Sequence, residues 1–322
     1  MKPRPRRIIY MGTPDFAVPP LEALIHSPRY RPLSVVTRED KASGRGHKLQ
    51  KPPVKLTAEQ ANIPVHQPIA LKRGKLASLL AFYEPELIIT AAYGRILPDD
   101  VLDLPDYGCI NIHASLLPKY RGASPIHAAI LEGDDTAGVT FMQMSQGMDE
   151  GDILEQVHVP LTPKHTAEQL FNELSELSAM ALIPFLDRFF AGEITPVPQD
   201  HQAATYVTTL TRDDGALNFA MTTDEVDRQV RGLYSWPGAF AFYKGKRLKV
   251  LSGEPLGTDE IFDFYEAKPG AIVMNKGRFV VKTGDGFYEI LRYQPAGSRI
   301  LEAAEGAHNL ELNEILRESP EA

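Results

Sequence analysis

The chain has 322 residues, of which 43% are hydrophobic and 24% charged, an ordinary globular balance that excludes a largely disordered or fibrous protein. No apolar run approaches the ~18 residues of a membrane helix, and the apolar run after the basic start (residues 2–7) is too short for a secretory signal. The single cysteine, Cys109, excludes an intramolecular disulfide and a zinc site of several thiolates. A soluble cytoplasmic protein of about two domains is expected. The net charge of −8 speaks against nucleic-acid binding over the whole surface. Residues 1–51 nevertheless hold 11 Lys/Arg against 4 Asp/Glu, which leaves room for an anionic partner there.

In chain order, residues 7–11 read as a buried strand that ends at Gly12-Thr13-Pro14-Asp15. Residues 16–25 follow as a helix with Leu21, Leu24 and Ile25 on one face. A second strand at 33–37 leads into a polar loop, residues 38–53, around Gly44-Arg45-Gly46. A helix at 55–62, a short strand at 63–65 and a helix at 76–83 come next. Apolar runs bounded by breakers predict strands at 87–90 and 108–112, then at 140–144 and 153–157, before a long helix at 167–190. This alternation predicts a largely parallel sheet with helices on both faces. Residues 191–206, with Gly192, Pro196 and Pro198, read as a linker. After a helix at 223–231 the grammar changes to short strands at 239–243, 247–251, 270–273, 278–282 and 287–291. That spacing predicts a small all-β barrel or sandwich.

The turn Gly12-Thr13-Pro14-Asp15-Phe16 follows a strand, but a dinucleotide fingerprint needs three glycines and only Gly12 is present. Asn111 and His113 alternate along one strand, so their side chains share a face. They end that strand in an open α/β sheet, where such folds place their sites. An amide and an imidazole there can polarise a carbonyl and move a proton. Asp149, in Met148-Asp149-Glu150-Gly151-Asp152, can orient and charge-stabilise an imidazole. Taken alone, His113 reads as readily as a structural histidine and residues 148–152 as a solvated acidic turn.

Taken in order, Asn111-x-His113, Ser115-Leu116-Leu117-Pro118, Arg121-Gly122 and Asp149-x-Gly151 resemble the pattern of folate-dependent formyltransferases. The resemblance extends to residues 11–19, to Gly44-Arg45-Gly46-His47-Lys48-Leu49, to Trp236-Pro237-Gly238-Ala239-Phe240 and to Gln294-Pro295-Ala296-Gly297. It implies a Rossmann-like, mostly parallel α/β catalytic domain at 1–190, a linker at 191–208, and an OB-fold-like all-β barrel with an acidic tail at 209–322. The implied reaction moves the formyl group of 10-formyltetrahydrofolate to the α-amino group of methionyl initiator tRNA, in a monomer and without a metal. The resemblance further implies that Asn111, His113 and Asp149 are catalytic, and that Arg95, Ile96, Leu97, Ser115, Leu116, Leu117 and Pro118 line the folate site.

Charge and the same resemblance assign tRNA phosphates to Arg45, His47, Lys48 and Lys51, and to the hairpin residues Lys244, Lys246 and Arg247. Residues 209–322 hold 14 Lys/Arg against 18 Asp/Glu, so any grip there is a local patch. The chain departs from the pattern at residues 38–41, at Ser298 where relatives commonly have lysine, and in the tail 302–322. A formyltransferase of small amines, such as an amino-sugar nucleotide, and a tRNA-binding protein without catalysis remain the alternatives.

Overall fold

The computed structural model describes residues 4–43, 48–69, 71, 74–257, 264 and 266–320. The chain divides into two compact units. The first holds Met1–Ile126, Thr136–Pro160 and Phe171–Thr208. The second holds His127–Asp135, Leu161–Leu170 and Thr209–Ala322.

The first unit is built on strands β1 (Ile8–Gly12), β2 (Ser34–Val36), β5 (Val65–His66), β6 (Leu87–Ala91), β7 (Cys109–His113), β9 (Thr136–Gln143) and β10 (Ile153–Pro160), with a small ladder of β3 (Lys41–Ser43) and β4 (Lys48–Gln50) beside them. The seven-stranded sheet runs β10-β9-β7-β6-β1-β2-β5. Its middle is parallel: β1 pairs β2 and β6, and β6 pairs β7. The strand order therefore reverses beside β1, which creates the switch point where open α/β sheets leave a crevice. All five residues of β1 and of β6 are buried. Helices cover both faces of such strands, so they read as continuous apolar runs and not as alternating ones.

The helices between and after these strands are α1 (Val18–His26), α2 (Pro53–Gln60), α3 (Lys75–Ala81), α4 (Asp99–Leu102), α5 (Pro125–Leu131) and the 25-residue α6 (Ala167–Ala191). Leu76 and Leu80 of α3 pack on Ile9, Met11 and Ile88. Phe185 of α6 stacks on Phe141 with ring centroids 4.4 Å apart. A mostly parallel sheet is thus observed, with one departure at its edge: β9 pairs antiparallel with β7 and β10 antiparallel with β9. The turn-rich segment between β9 and β10 returns the chain directly, so no crossover helix is needed. The region expected to be a plain polar loop, residues 38–53, also differs, because β3 and β4 pair antiparallel within it.

The expected linker is anchored as well. Ile153 and Val197 exchange backbone hydrogen bonds at 2.8 and 2.9 Å. Strand β11 (Tyr206–Val207) pairs in parallel with β8 (Arg121–Gly122).

Beyond Thr209 the second unit carries α7 (Thr223–Gly232), whose N-cap Thr222 and Glu225 form a reciprocal capping box. Its sheet runs β12 (Phe240–Tyr243), β13 (Lys246–Leu256), β16 (Phe287–Pro295), β15 (Phe279–Lys282) and β14 (Ile272–Met274), with β17 (Leu301–Glu302) added on β16. Register shifts at residues 250–253 bend the long β13, as bulges do in barrel-like sheets. The acidic tail is part of this fold. After α8 (Ala303–Gly306), Arg317 exchanges backbone hydrogen bonds with Phe242 on one sheet edge. Asn313, Glu314 and Leu316 bond to Ile272 and Gly270 at the other edge. The tail so covers both open edges, and Leu310 and Leu316 enter the core.

Candidate active site

The site begins with register. β6 and β7 set Thr90 beside Asn111, and β9 sets Thr140 beside His113. The Thr90 hydroxyl donates to Asn111 Oδ1 at 2.7 Å. The Asp149 carboxylate, which can only accept, faces the other end of the amide and so marks that end as the donor Nδ2. Asn111 Nδ2 lies 3.4 Å from Asp149 Oδ1. His113 is buried and its Nε2 lies 3.0 Å from the Tyr120 carbonyl. A carbonyl only accepts, so the neutral ring carries its proton on Nε2 and keeps its lone pair on Nδ1. That lone pair faces Asp149 Oδ2 at 3.7 Å, too far for a direct hydrogen bond but within reach of charge.

Asp149 arrives from the segment between β9 and β10, in a left-handed backbone conformation with φ of 54°. Aspartate is one of the few residues besides glycine that enter this region readily. Its Oδ2 accepts from the Gly122 N–H at 2.9 Å. Gly122 itself has φ of 113°, and a Cβ there would collide with the Val207 carbonyl of β11. Only glycine fits this approach of β8 to β11.

A layer behind the site joins Arg121, already marked by the Arg121-Gly122 motif, to a residue that the sequence did not mark. Gln199, in the expected linker, donates to the carbonyls of Asp149 and Gly151 at 2.9 and 2.7 Å. Its Oε1 accepts from Arg121 Nε and Nη2 at 3.0 and 2.7 Å. Arg121 is 0% exposed. Besides Gln199, its guanidinium reaches the Tyr206 hydroxyl at 3.1 Å and His201 Nδ1 at 3.4 Å. Thr90 had a signal in principle, since it ends a strand next to that of Asn111, whereas Gln199 had none.

The residues expected at the folate site fall into two groups. Arg95 spends its guanidinium on Glu39, at 2.8 and 2.9 Å, and on the Pro68 carbonyl at 2.7 Å. Leu97 is buried in the core, while Ile96 is 79% exposed and offers apolar surface beyond β6. The turn of Ser115, Leu116, Leu117 and Pro118 is stitched by the Thr140 hydroxyl, which donates to the Ser115 carbonyl and accepts from the Leu117 N–H. Ser115 Oγ closes the same turn on the Lys119 carbonyl at 2.6 Å. An open pocket of about 450 Å³, lined by Asp99, Leu102, Asp103, Gln143 and Ser145 among others, lies at the Gly108 end of β7 and does not include His113.

Of the expected tRNA contacts, Arg45, His47 and the Lys48 side chain lie outside the described residues. Lys51 pairs with Glu59 at 2.7 Å. Lys244 pairs with Glu311, and the Arg247 guanidinium lies 3.5 Å from the centre of the Phe240 ring. Lys246 is exposed. The hairpin is less freely cationic than its sequence suggests.

Residues 6–186 match the formyl transferase family, and residues 209–309 match the formyl transferase C-terminal domain. The chain is 44% identical to the methionyl-tRNA formyltransferase of Desulfotalea psychrophila, over 91% of this chain and 89% of that protein. It is 41% identical to the methionyl-tRNA formyltransferase of Thermodesulfovibrio yellowstonii, over 95% and 97%. Among solved structures, the N-formyltransferase of Helicobacter canadensis, with folinic acid and dTDP-3-aminofucose, matches with a TM-score of 0.66 at 19% identity, over 88% of this chain and 98% of that one. HypX of Aquifex aeolicus, in complex with tetrahydrofolic acid, matches with a TM-score of 0.58 at 19% identity. That match covers 92% of this chain, which spans less than half (46%) of the longer HypX chain. At these identities the solved structures carry the fold alone.

Proposed function

The chain belongs to the methionyl-tRNA formyltransferase family, and from that premise we propose that it transfers the formyl group of 10-formyltetrahydrofolate to the α-amino group of methionyl initiator tRNA. One observation carries the reading to the residues. Asn111 Nδ2 and His113 Nδ1 converge on the Asp149 carboxylate, at 3.4 and 3.7 Å, where β7 ends. We assign catalysis to these three side chains, in a cytoplasmic monomer.

The reaction is acyl transfer between two nitrogens. The acceptor amine attacks the formyl carbon, the carbonyl oxygen becomes an oxyanion, and the bond to N10 of the donor then breaks. Asn111 Nδ2 is the donor for the oxyanion, since Thr90 occupies the other end of the amide. Such a donor is worth roughly 3 kcal/mol of barrier. His113 Nδ1 takes the proton that the amine loses and returns one to the departing N10. Asp149 stabilises the imidazolium formed between these transfers.

For the donor itself, the exposed Ile96 supplies apolar surface of the kind a pterin ring needs, and the Ser115–Pro118 turn is assigned to the same site. The loop with Arg45, His47, Lys48 and Lys51 and the hairpin with Lys244, Lys246 and Arg247 are assigned to tRNA phosphates.

The test is a substrate comparison. Purified protein given 10-formyltetrahydrofolate and charged initiator tRNA should yield formylmethionyl-tRNA, and should leave free methionine and amino-sugar nucleotides unchanged. Formylation of a sugar amine without formylation of the tRNA would overturn the assignment.

A further inference from the structure

We infer that Gln199, held by Arg121, is a positioning residue that sets the Asp149 turn for the acid–base chemistry. This inference rests on the catalytic reading of Asp149. It concerns a segment, residues 187–208, that neither family match spans.

The Gln199 amide is completely specified. Its oxygen can face only donors, and Arg121 supplies two of them. Its nitrogen then directs both hydrogens to carbonyls, those of Asp149 and Gly151. Arg121 is a fully buried cation, and none of the side-chain partners it has among the described residues is a carboxylate: they are Gln199, Tyr206 and His201. A buried charge satisfied this way is costly to assemble and sensitive to each partner. Its geometric effect is to keep Gln199 in a single amide orientation.

The same ladder holds the rest of the machinery. β8 carries both Arg121 and Gly122, and the Gly122 N–H binds the Asp149 carboxylate. Tyr120, one residue before β8, supplies the carbonyl that fixes the His113 tautomer. β11 pairs with β8 and approaches Gly122 so closely that a side chain is excluded. Asp149 is thus gripped by its carboxylate from β8 and by its backbone from Gln199. Without the second grip, the left-handed turn at Asp149 is free to relax, and an error of about 1 Å at such a group costs up to ~100-fold in rate.

Gln199→Glu separates positioning from packing. Glutamate keeps the shape and still accepts from Arg121, but it cannot donate to the two carbonyls. The expected result is a fall in kcat of about 10- to 100-fold with KM for donor and tRNA nearly unchanged. On an Asp149→Asn background the same substitution should have little further effect, because it acts through that carboxylate. Gln199→Ala should resemble Gln199→Glu, and thermal melts of both should show a folded protein. Hydrogen exchange over residues 145–152 should speed up in both variants. A Gln199→Glu enzyme with wild-type kcat, or one whose loss persists in full beside Asp149→Asn, overturns the inference. An Asp149→Asn enzyme at the wild-type rate instead sinks the catalytic reading, and Gln199 loses its role with it.

Discussion

At the scale of single residues, the assignments stand on which atom of each group is already committed. His113 has given Nε2 to the Tyr120 carbonyl, so Nδ1 is the atom left for the proton transfer proposed for this ring. His113→Ala should lower the single-turnover rate by about two decades or more while leaving donor binding within a few-fold, since the imidazole acts in the transition state. A single-turnover rate within tenfold of wild type would refute the role. Cys109 is no competing nucleophile, because burial, with Asp103 adding to it, pushes its thiol up to about 12. Glu86 shows how charge supports the fold. Burial alone would raise its pKa, but the Arg7 N–H and the guanidinium groups of Arg6 and Arg4 outweigh that and hold it below the ordinary carboxylate value. A depressed carboxyl stabilises the fold above its unfolded pKa, and that contribution is lost as the pH falls through the folded value. Glu86→Gln should therefore lower Tm at pH 7, with the difference from wild type shrinking below about pH 4. Melts that differ equally at both pH values would refute this electrostatic account.

At the scale of elements, the tail is the place where sequence and structure part most clearly. Read as an acidic extension, it turns out to pair with both edges of the second sheet. Leu316, 3% exposed, is a core residue of that unit. Leu316→Ala should cost roughly 2–5 kcal/mol in denaturant unfolding of that unit, against less than about 0.5 kcal/mol for the exposed Glu318→Ala. Equal stabilities would mean that the tail adds nothing to the core. The central strands were legible because β1, β6 and β7 are apolar runs, and burial on both faces leaves that signature. Asn111 and His113 were legible because period-two alternation puts them on one face at a strand end. β8, β11 and the strand-like tail were not, since two-residue ladders are too short for periodicity to register. Proline, glycine and polar residues also read alike whether a segment swings free or is pinned, and so Gln199 was hidden in an expected linker.

At the scale of the whole molecule, the proposed function asks a chain of net charge −8 to hold a polyanion. Many of its cations are already engaged by neighbouring acids: Lys51 by Glu59, Lys55 by Asp40, Arg95 by Glu39 and Lys244 by Glu311. A phosphate that recruits one of these lysines must displace a carboxylate, which weakens the net gain. The assigned tRNA loop is tested at Arg45 and Lys48. Each neutralised phosphate releases condensed counterions, so tRNA binding should weaken as salt rises, with a slope set by how many phosphates are met. Replacing Arg45 and Lys48 by alanine should weaken charged-tRNA binding and flatten that slope by about one unit for each phosphate no longer neutralised. Donor affinity should hardly change, because the folate site is assigned to other segments. Lys51→Ala should have only a modest effect, since a phosphate that recruits Lys51 must first displace the Glu59 carboxylate. The measurement is tRNA affinity from about 50 to 200 mM salt, the range over which such phosphate pairing is most visible. If the double variant keeps the wild-type slope and formylates methionyl-tRNA at the wild-type rate, the loop does not meet phosphates, and tRNA recognition falls to the Lys244–Arg247 hairpin.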